Sequence, residues 1–115
     1  MAIAQRQSDR IARINSAGFI TGYRGSPVGG LDLEAWRESA LLQQHDVAFQ
    51  PSINEDLAAT ALWGTQLTDH YHTTSRKQGV FGYWYGKGHG VDCSAEVFRQ
   101  ANIQGTAKFG GALVI

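Results

Sequence analysis

The sequence predicts an α/β domain: a parallel β-sheet with flanking helices. Two observations predict it. Apolar stretches of strand length alternate with segments of helical periodicity, the pattern of strands covered by helices on their faces. Fourteen glycines against two prolines gather mostly at the ends of apolar stretches, where shaped loops need positive φ or a close backbone approach. The chain has 115 residues, room for one domain of the usual size of about 100–150 residues. A chain of this length buries about two-thirds of its unfolded surface, enough for a real core.

The elements follow in order. Residues 2–14 are polar and weakly helical, with Ile3, Ile11 and Ile14 as apolar anchors, so residues 1–15 are expected to form a peripheral helix or arm. Residues 16–115 form the α/β domain, beginning with a buried strand over 16–22 (SAGFITG) that ends in the turn Tyr23–Arg24–Gly25–Ser26–Pro27. Leu31 to Gln44 reads as one helix with Leu33, Trp36 and Ala40 on a stripe. Val47 to Gln50 is a short strand stopped by Pro51. From Ser52 the pattern is helical again, with Leu57, Ala58, Ala61, Leu62 and Thr65 as its stripe. Gly79 to Tyr85 is a third strand, its aromatics Phe81, Tyr83, Trp84 and Tyr85 suited to burial on both faces. The loop Gly86–Lys87–Gly88–His89–Gly90 leads to a helix over Ser94 to Gln104, with Gly105 as its C′ residue. Ala112 to Ile115 starts a fourth strand, and ending there suggests a piece of a longer α/β domain.

Composition narrows the function. Ten Lys+Arg balance ten Asp+Glu, which argues against nucleic acid and anionic membrane as partners, since both select a basic face. Hydrophobic residues make up 43% and charged residues 17% of the chain, which excludes a disordered or solvating segment. One cysteine, Cys93, excludes a disulfide framework or a cysteine-built metal site within the chain. No apolar run approaches the ~20 residues of a membrane span. The N-terminus lacks a signal peptide's apolar core, so a cytoplasmic location is expected.

In parallel sheets ligands bind beyond the carboxyl ends of the strands, which here gathers the loops at 22–30, 50–55 and 86–93 on one edge. The second loop, Gln50–Pro51–Ser52–Ile53–Asn54–Glu55–Asp56, places a carboxylate in the first turn of a helix directly after a strand. Two readings stand open. Ser52 and Glu55 have the spacing of a capping box, or Glu55 is held at the sheet edge to hydrogen-bond a ligand. The first loop lacks the GK[ST] ending of a P-loop, and is either a tight connection or a ligand turn. In the third, Lys87 is either solvated or placed to neutralise an anionic group. His70 and His72, two apart, point away from each other on a helix, and His45 sits at a helix end where a cation is favourable. Cys93 has no persuasive partner base and reads as a small packing residue.

Three segments together, AGFITGYRGSPVGG (17–30), FQPSINEDLAATALWGTQ (49–66) and VFGYWYGKGHGVDCSAEVFRQAN (80–102), resemble the N-terminal part of the indolepyruvate ferredoxin oxidoreductases. These belong to the thiamine-diphosphate-dependent 2-oxoacid:ferredoxin oxidoreductase family. The resemblance runs from about residue 5 to the end and covers part of that family's pyrimidine-binding domain, so the fold it implies is an incomplete thiamine-diphosphate-binding domain. It implies that Glu55 is the carboxyl that hydrogen-bonds N1′ of the cofactor's aminopyrimidine and promotes removal of the C2 proton. That donation needs the protonated acid, which a site closed to water favours and a helix N-terminus opposes. Asn54 and the turn Gly25–Ser26–Pro27 are the further cofactor-binding residues implied. Ser26, Arg24 and Lys87 are candidates for the 2-oxoacid, and no metal ligand is assigned to this chain. The chain departs from the family pattern at His89, where proline is expected, and at Cys93, where arginine is expected. The implied activity is oxidative decarboxylation of indolepyruvate or a related 2-oxoacid to acyl-coenzyme A, with electrons passing to ferredoxin. Mg²⁺, the diphosphate site and the iron–sulfur clusters are expected on domains this chain lacks, and the assembly is expected to be a homodimer. By itself the chain is expected to be inactive. The alternatives are a non-catalytic α/β binding module and a thiamine-diphosphate decarboxylase or synthase domain.

Overall fold

A computed structural model describes residues 1–25, 28–70 and 76–115. The described chain runs α1 (Ala2–Ile11), β1 (Ser16–Gly22), α2 (Gly29–Arg37), α3 (Ser39–Gln44), β2 (Val47–Phe49), α4 (Glu55–Thr65), β3 (Gly79–Tyr85), α5 (Gly88–Cys93), α6 (Ala95–Gln104) and β4 (Gly111–Val114). The four strands form one all-parallel sheet in the order β2-β1-β3-β4. The fold is therefore α/β with flanking helices, as the alternation of apolar strands and helices predicts.

Side-chain alternation along the strands divides the core into two layers. Ile20, Tyr83 and Tyr85 point to one face and join Ala2, Ala35, Leu42 and Val47 from α1, α2, α3 and β2. Trp84 points to the other, where Ala58, Ala59 and Leu62 of α4 bury it, with Phe19, Val97 and Phe98 packed beside them. Register pairs Gly22 with Tyr85, and glycine is required there because a Cβ would run into the Tyr85 ring. On the opposite face a Cβ at Gly82 would strike Leu62. The missing side chains thus leave room for the Tyr85 ring beside Gly22 and let α4 lie close to the sheet.

Two polar clusters fix the layers. Gln66, 3% exposed, follows α4 and donates from Nε2 to the Val80 carbonyl at 3.1 Å. Its Oε1 accepts from Gly111 N at 2.8 Å, so one side chain ties α4 to β3 and β4. At the amino edge of the sheet, buried Arg6 of α1 and Lys77 each reach Asp46 Oδ2 at 2.8 Å. Those two cations hold the Asp46 carboxyl down at about 2, Lys77 contributing most.

The structure corrects several local expectations. Leu31 to Gln44 is two helices broken at Glu38, whose φ −94°, ψ 16° leaves the helical basin. The stripe Leu33–Trp36–Ala40 faces outward, Leu33 and Trp36 being 51% and 58% exposed, while Ala35 and Leu42 face the sheet. The small Ala35 lets α2 approach closely, and Trp36 instead packs edge-on against Phe49 at 6.3 Å. In α4 the buried set is Ala58, Ala59 and Leu62, with Leu57 and Ala61 exposed. The segment Gly88–Cys93, expected as loop, is helical. Gly105 ends α6 at φ 78°, a conformation suited to glycine.

Candidate functional site

Because every strand is parallel, the turns after β1, β2 and β3 emerge on one edge. The chain leaving β2 does not turn away at once. Gln50 N donates to the Ile20 carbonyl at 2.9 Å and Ser52 N to the Gly22 carbonyl at 2.8 Å, and Ser52 bridges Tyr23 in parallel fashion. These bonds prolong the pairing past the strand and lock the first loop to the second. Only then does the chain bend into α4.

Asn54 caps α4. Its backbone is extended (φ −153°, ψ 169°) and its Oδ1 accepts from Leu57 N at 2.8 Å. This overturns the capping box: Ser52 is held in the backbone bridge to β1, so Asn54 takes the cap position and Glu55 becomes the first helical residue. The Glu55 side chain thereby has no capping task, and Asn54 has its side-chain oxygen committed to one.

Glu55 is anchored by its backbone and confined by its neighbour. The buried Trp84 indole donates to the Glu55 carbonyl at 3.2 Å, and Phe98 meets Trp84 edge-on at 5.2 Å. Gly90 of α5 lies directly against the Glu55 side chain: an added Cβ would sit 2.5 Å from Glu55 Cγ and 3.1 Å from Cδ and Oε1. The second and third loops therefore meet at this carboxyl, which is half-buried. Exposed apolar groups flank Glu55 in the chain at Ile53 (81%) and Leu57 (48%), and Gly90 at Val91 (37%).

The remaining sequence candidates are distributed as follows. Gly25 adopts φ 99°, a left-handed turn that favours glycine. Arg24 turns toward α2, with Nε 3.6 Å from Asp32 Oδ2 and its guanidinium 5.7 Å over the Trp36 ring. Asp32 also accepts from the Tyr85 hydroxyl at 2.9 Å. Burial, and then that carboxylate, push the Tyr85 phenol well above its ordinary range. Lys87 precedes α5 in extended conformation with its side chain exposed. Ser26, Pro27 and His72 lie outside the described residues.

Three features escaped the sequence reading. Gly90 as the neighbour of Glu55 is visible only as one glycine among many. The Trp84–Glu55 and Tyr85–Asp32 bonds join residues far apart in the chain and leave no local signal. His89 and Cys93 are in contact, Nε2 to Sγ 3.7 Å, and here the four-residue spacing on a helix was a usable signal; the expectation that Cys93 lacks a partner does not hold.

Among the described residues no group of three or more His, Cys, Asp and Glu side chains could hold a metal ion, and no helix is long and apolar enough to cross a membrane. An apolar cavity of about 210 Å³ lies between α1–α3 and the sheet, and another of about 230 Å³ between α4, α6 and β4; neither is lined by Glu55. Comparison with protein-family models, with curated proteins and with solved structures gives no match.

Proposed function

We propose that this chain is the pyrimidine-binding portion of a thiamine-diphosphate-dependent 2-oxoacid:ferredoxin oxidoreductase acting on indolepyruvate or a related 2-oxoacid, with Glu55 as its catalytic carboxyl. The observation that carries the reading is the setting of Glu55: a carboxyl at the carboxyl edge of a parallel sheet, released from capping by Asn54 and confined by Gly90. When bound, the cofactor would supply the nucleophilic carbon and the electron sink that decarboxylation of a 2-oxoacid needs.

The residues present suit that group. Glu55 would donate to the pyrimidine ring and so assist proton removal at C2. Trp84 fixes the Glu55 backbone and Gly90 bounds its side chain on one side, which is how a donor is kept within reach of one atom. Ile53, Leu57 and Val91 offer apolar surface to a covering domain, and covering them would exclude water from the carboxyl. In this reading the diphosphate, the metal and the electron-transfer clusters belong to other domains, and coenzyme A and ferredoxin meet the assembled enzyme. By the resemblance Gly25, Ser26 and Pro27 are the further cofactor-binding candidates, Ser26 and Pro27 lying outside the described residues, while Arg24, Ser26 and Lys87 remain candidates for the 2-oxoacid. Arg24 would have to leave Asp32 to serve it.

The test is Glu55→Gln in the assembly that contains the diphosphate-binding domain, followed by hydrogen–deuterium exchange at cofactor C2. Exchange is expected to slow by about 10²-fold or more, the usual scale for losing a positioned acid or base, with folding unchanged. Exchange at the wild-type rate would falsify the role assigned to Glu55.

A further inference from the structure

We propose that the cavity between α1–α3 and the sheet binds a small arylalkylamine, with its ring inside and its ammonium group between Glu34 and Glu38. The cavity has a volume of about 210 Å³. Its walls are largely apolar, built by Ile3, Ile20, Leu31, Ala35, Leu42 and Ile115. An apolar cavity of about 150 Å³ stays dry and takes up benzene, so this one has room for a ring and a short chain. It falls below the roughly 300 Å³ at which sites for drug-sized ligands begin. Tyr83 supplies the aromatic part of the wall, against which a ligand ring can pack edge-on or offset. The Tyr83 side chain is 8% exposed, and its hydroxyl has no hydrogen-bond partner among the described residues. The wall thus carries a polar group that the protein leaves to a ligand or to water.

The charge on the wall is of one sign. Glu34 and Glu38 are its charged side chains, and both are exposed, which puts them where the cavity meets solvent. Glu38 N donates to the Glu34 carbonyl at 2.9 Å, so the two stand one helical turn apart, with Cβ atoms about 5–6 Å from each other. Among the described residues neither carboxylate has an ion-pair partner: Arg6, Arg24, Lys77 and Arg99 pair with other acids. Arg37, beside Glu38 in the chain, does not line the cavity. Like charges at this spacing repel, and a cation between them removes the repulsion. A primary ammonium has three N–H donors and no acceptor, enough to reach both carboxylates. The apolar wall behind them selects a cation that carries a hydrophobic ring over a hydrated metal ion. The cavity lies in the core layer opposite the one formed by α4, so the site does not rest on the thiamine-diphosphate reading.

The full chain is titrated by calorimetry with phenethylamine, with phenethyl alcohol as a neutral ligand of the same shape, and with phenylacetate as an anion. The amine should bind about tenfold more tightly than the alcohol, the scale of two exposed ion pairs, and phenylacetate more weakly than either. In the double variant Glu34→Gln, Glu38→Gln the amine and the alcohol should bind alike. Both substitutions are at exposed positions, and circular dichroism checks that the variant folds. A second measurement needs no variant: the methyl NMR signals of Ile20, Ala35 and Leu42 should shift with the amine. Those of Ala59, Leu62 and Ala101, which line the cavity between α4, α6 and β4, should stay in place. No binding of the amine at millimolar concentration, an alcohol that binds as well as the amine, a preference that survives the double substitution, or shifts confined to the second cavity each overturns the site.

Discussion

Replacing Gly90 by alanine probes the contact on which the site is built. The new Cβ would lie 2.5 Å from Glu55 Cγ and 3.1 Å from Cδ and Oε1, against a comfortable carbon–carbon separation of about 3.5–4.0 Å. About 1 Å has to be recovered. Glu55 can rotate off its rotamer, costing about 0.5–1.5 kcal/mol, or α5 can retreat, costing about 1–3 kcal/mol as overpacking does. Alanine's helical preference returns up to about 1 kcal/mol, so Gly90→Ala should be destabilising by about 1 kcal/mol. Gly88, two residues earlier on the same short helix, is the control: its added Cβ meets nothing within 4 Å, and Gly88→Ala should be neutral or stabilising by up to about 1 kcal/mol. Urea denaturation of both variants measures the gap, expected to be about 1–2 kcal/mol. In a Glu55→Ala background the colliding atoms are gone, and Gly90→Ala should then behave like Gly88→Ala, a coupling of about 1–2 kcal/mol. If the two alanine variants are equally stable, or the coupling is zero, then α5 does not rest on Glu55 and the site as described here is wrong.

Other expectations follow from the same packing. Asn54→Ala should lower stability by about 1 kcal/mol through loss of the cap, whereas Glu55→Ala should cost only the few tenths of a kcal/mol of an acid near a helix start; the reverse ranking would restore the capping box. Gln66→Leu should destabilise by about 2–4 kcal/mol in thermal or chemical unfolding, because it strands the Val80 carbonyl and Gly111 N–H that Gln66 satisfies. Asp46, depressed from 3.8 to about 2, contributes stability that is whole above pH 3.8 and lost as pH falls toward 2. Its side chain is 41% exposed, so solvent screening reduces that contribution to about 1 kcal/mol or less. Asp46→Asn, which keeps a residue tolerant of the positive φ at this position, should flatten acid unfolding over that window, and an unchanged pH profile would refute the assignment.

The strands were the most legible part of the chain. β1 and β3 begin and end at the residues the apolar runs mark, because a strand buried on both faces leaves an uninterrupted apolar segment bounded by glycine. The helices were legible in place but not in orientation. A stripe at i, i+3 and i+7 in α2 and α3 gives the period and says nothing about which stripe faces the sheet. Here the sheet takes the small Ala35, and the larger Leu33 and Trp36 lie outside. The S-x-x-E spacing at Ser52 and Glu55 misled for a similar reason. Capping depends on where the chain is free to turn, and the bond from Ser52 N to the Gly22 carbonyl delays that turn by two residues. Glu55 itself was legible as the acid at the edge. What surrounds it was not, since Trp84 and Gly90 reach it across 29 and 35 residues of chain.

The way Glu55 is held bears on what it can do. Its carbonyl is fixed by Trp84, its helix is seated by Ala58 and Ala59 at 0% and 1% exposure, and its side chain is stopped on one side by Gly90. Position is thus supplied by backbone and packing, and the carboxyl is left free to bond something else. A helix start in general favours an anion by at most about 1–2 kcal/mol. A proton-donating acid therefore needs a larger opposing effect, and removal from water is the one available here, since it disfavours a lone carboxylate by several kcal/mol. On the proposed reading, a domain covering Ile53, Leu57 and Val91 would supply that removal. Changing them to serine should leave the isolated chain folded, because they are exposed. If the chain is part of a thiamine-diphosphate enzyme as proposed, the same changes should slow C2 exchange in the assembly while the Glu55 carboxyl is still present. Exchange that withstands all three substitutions would mean that the edge is not covered at this point.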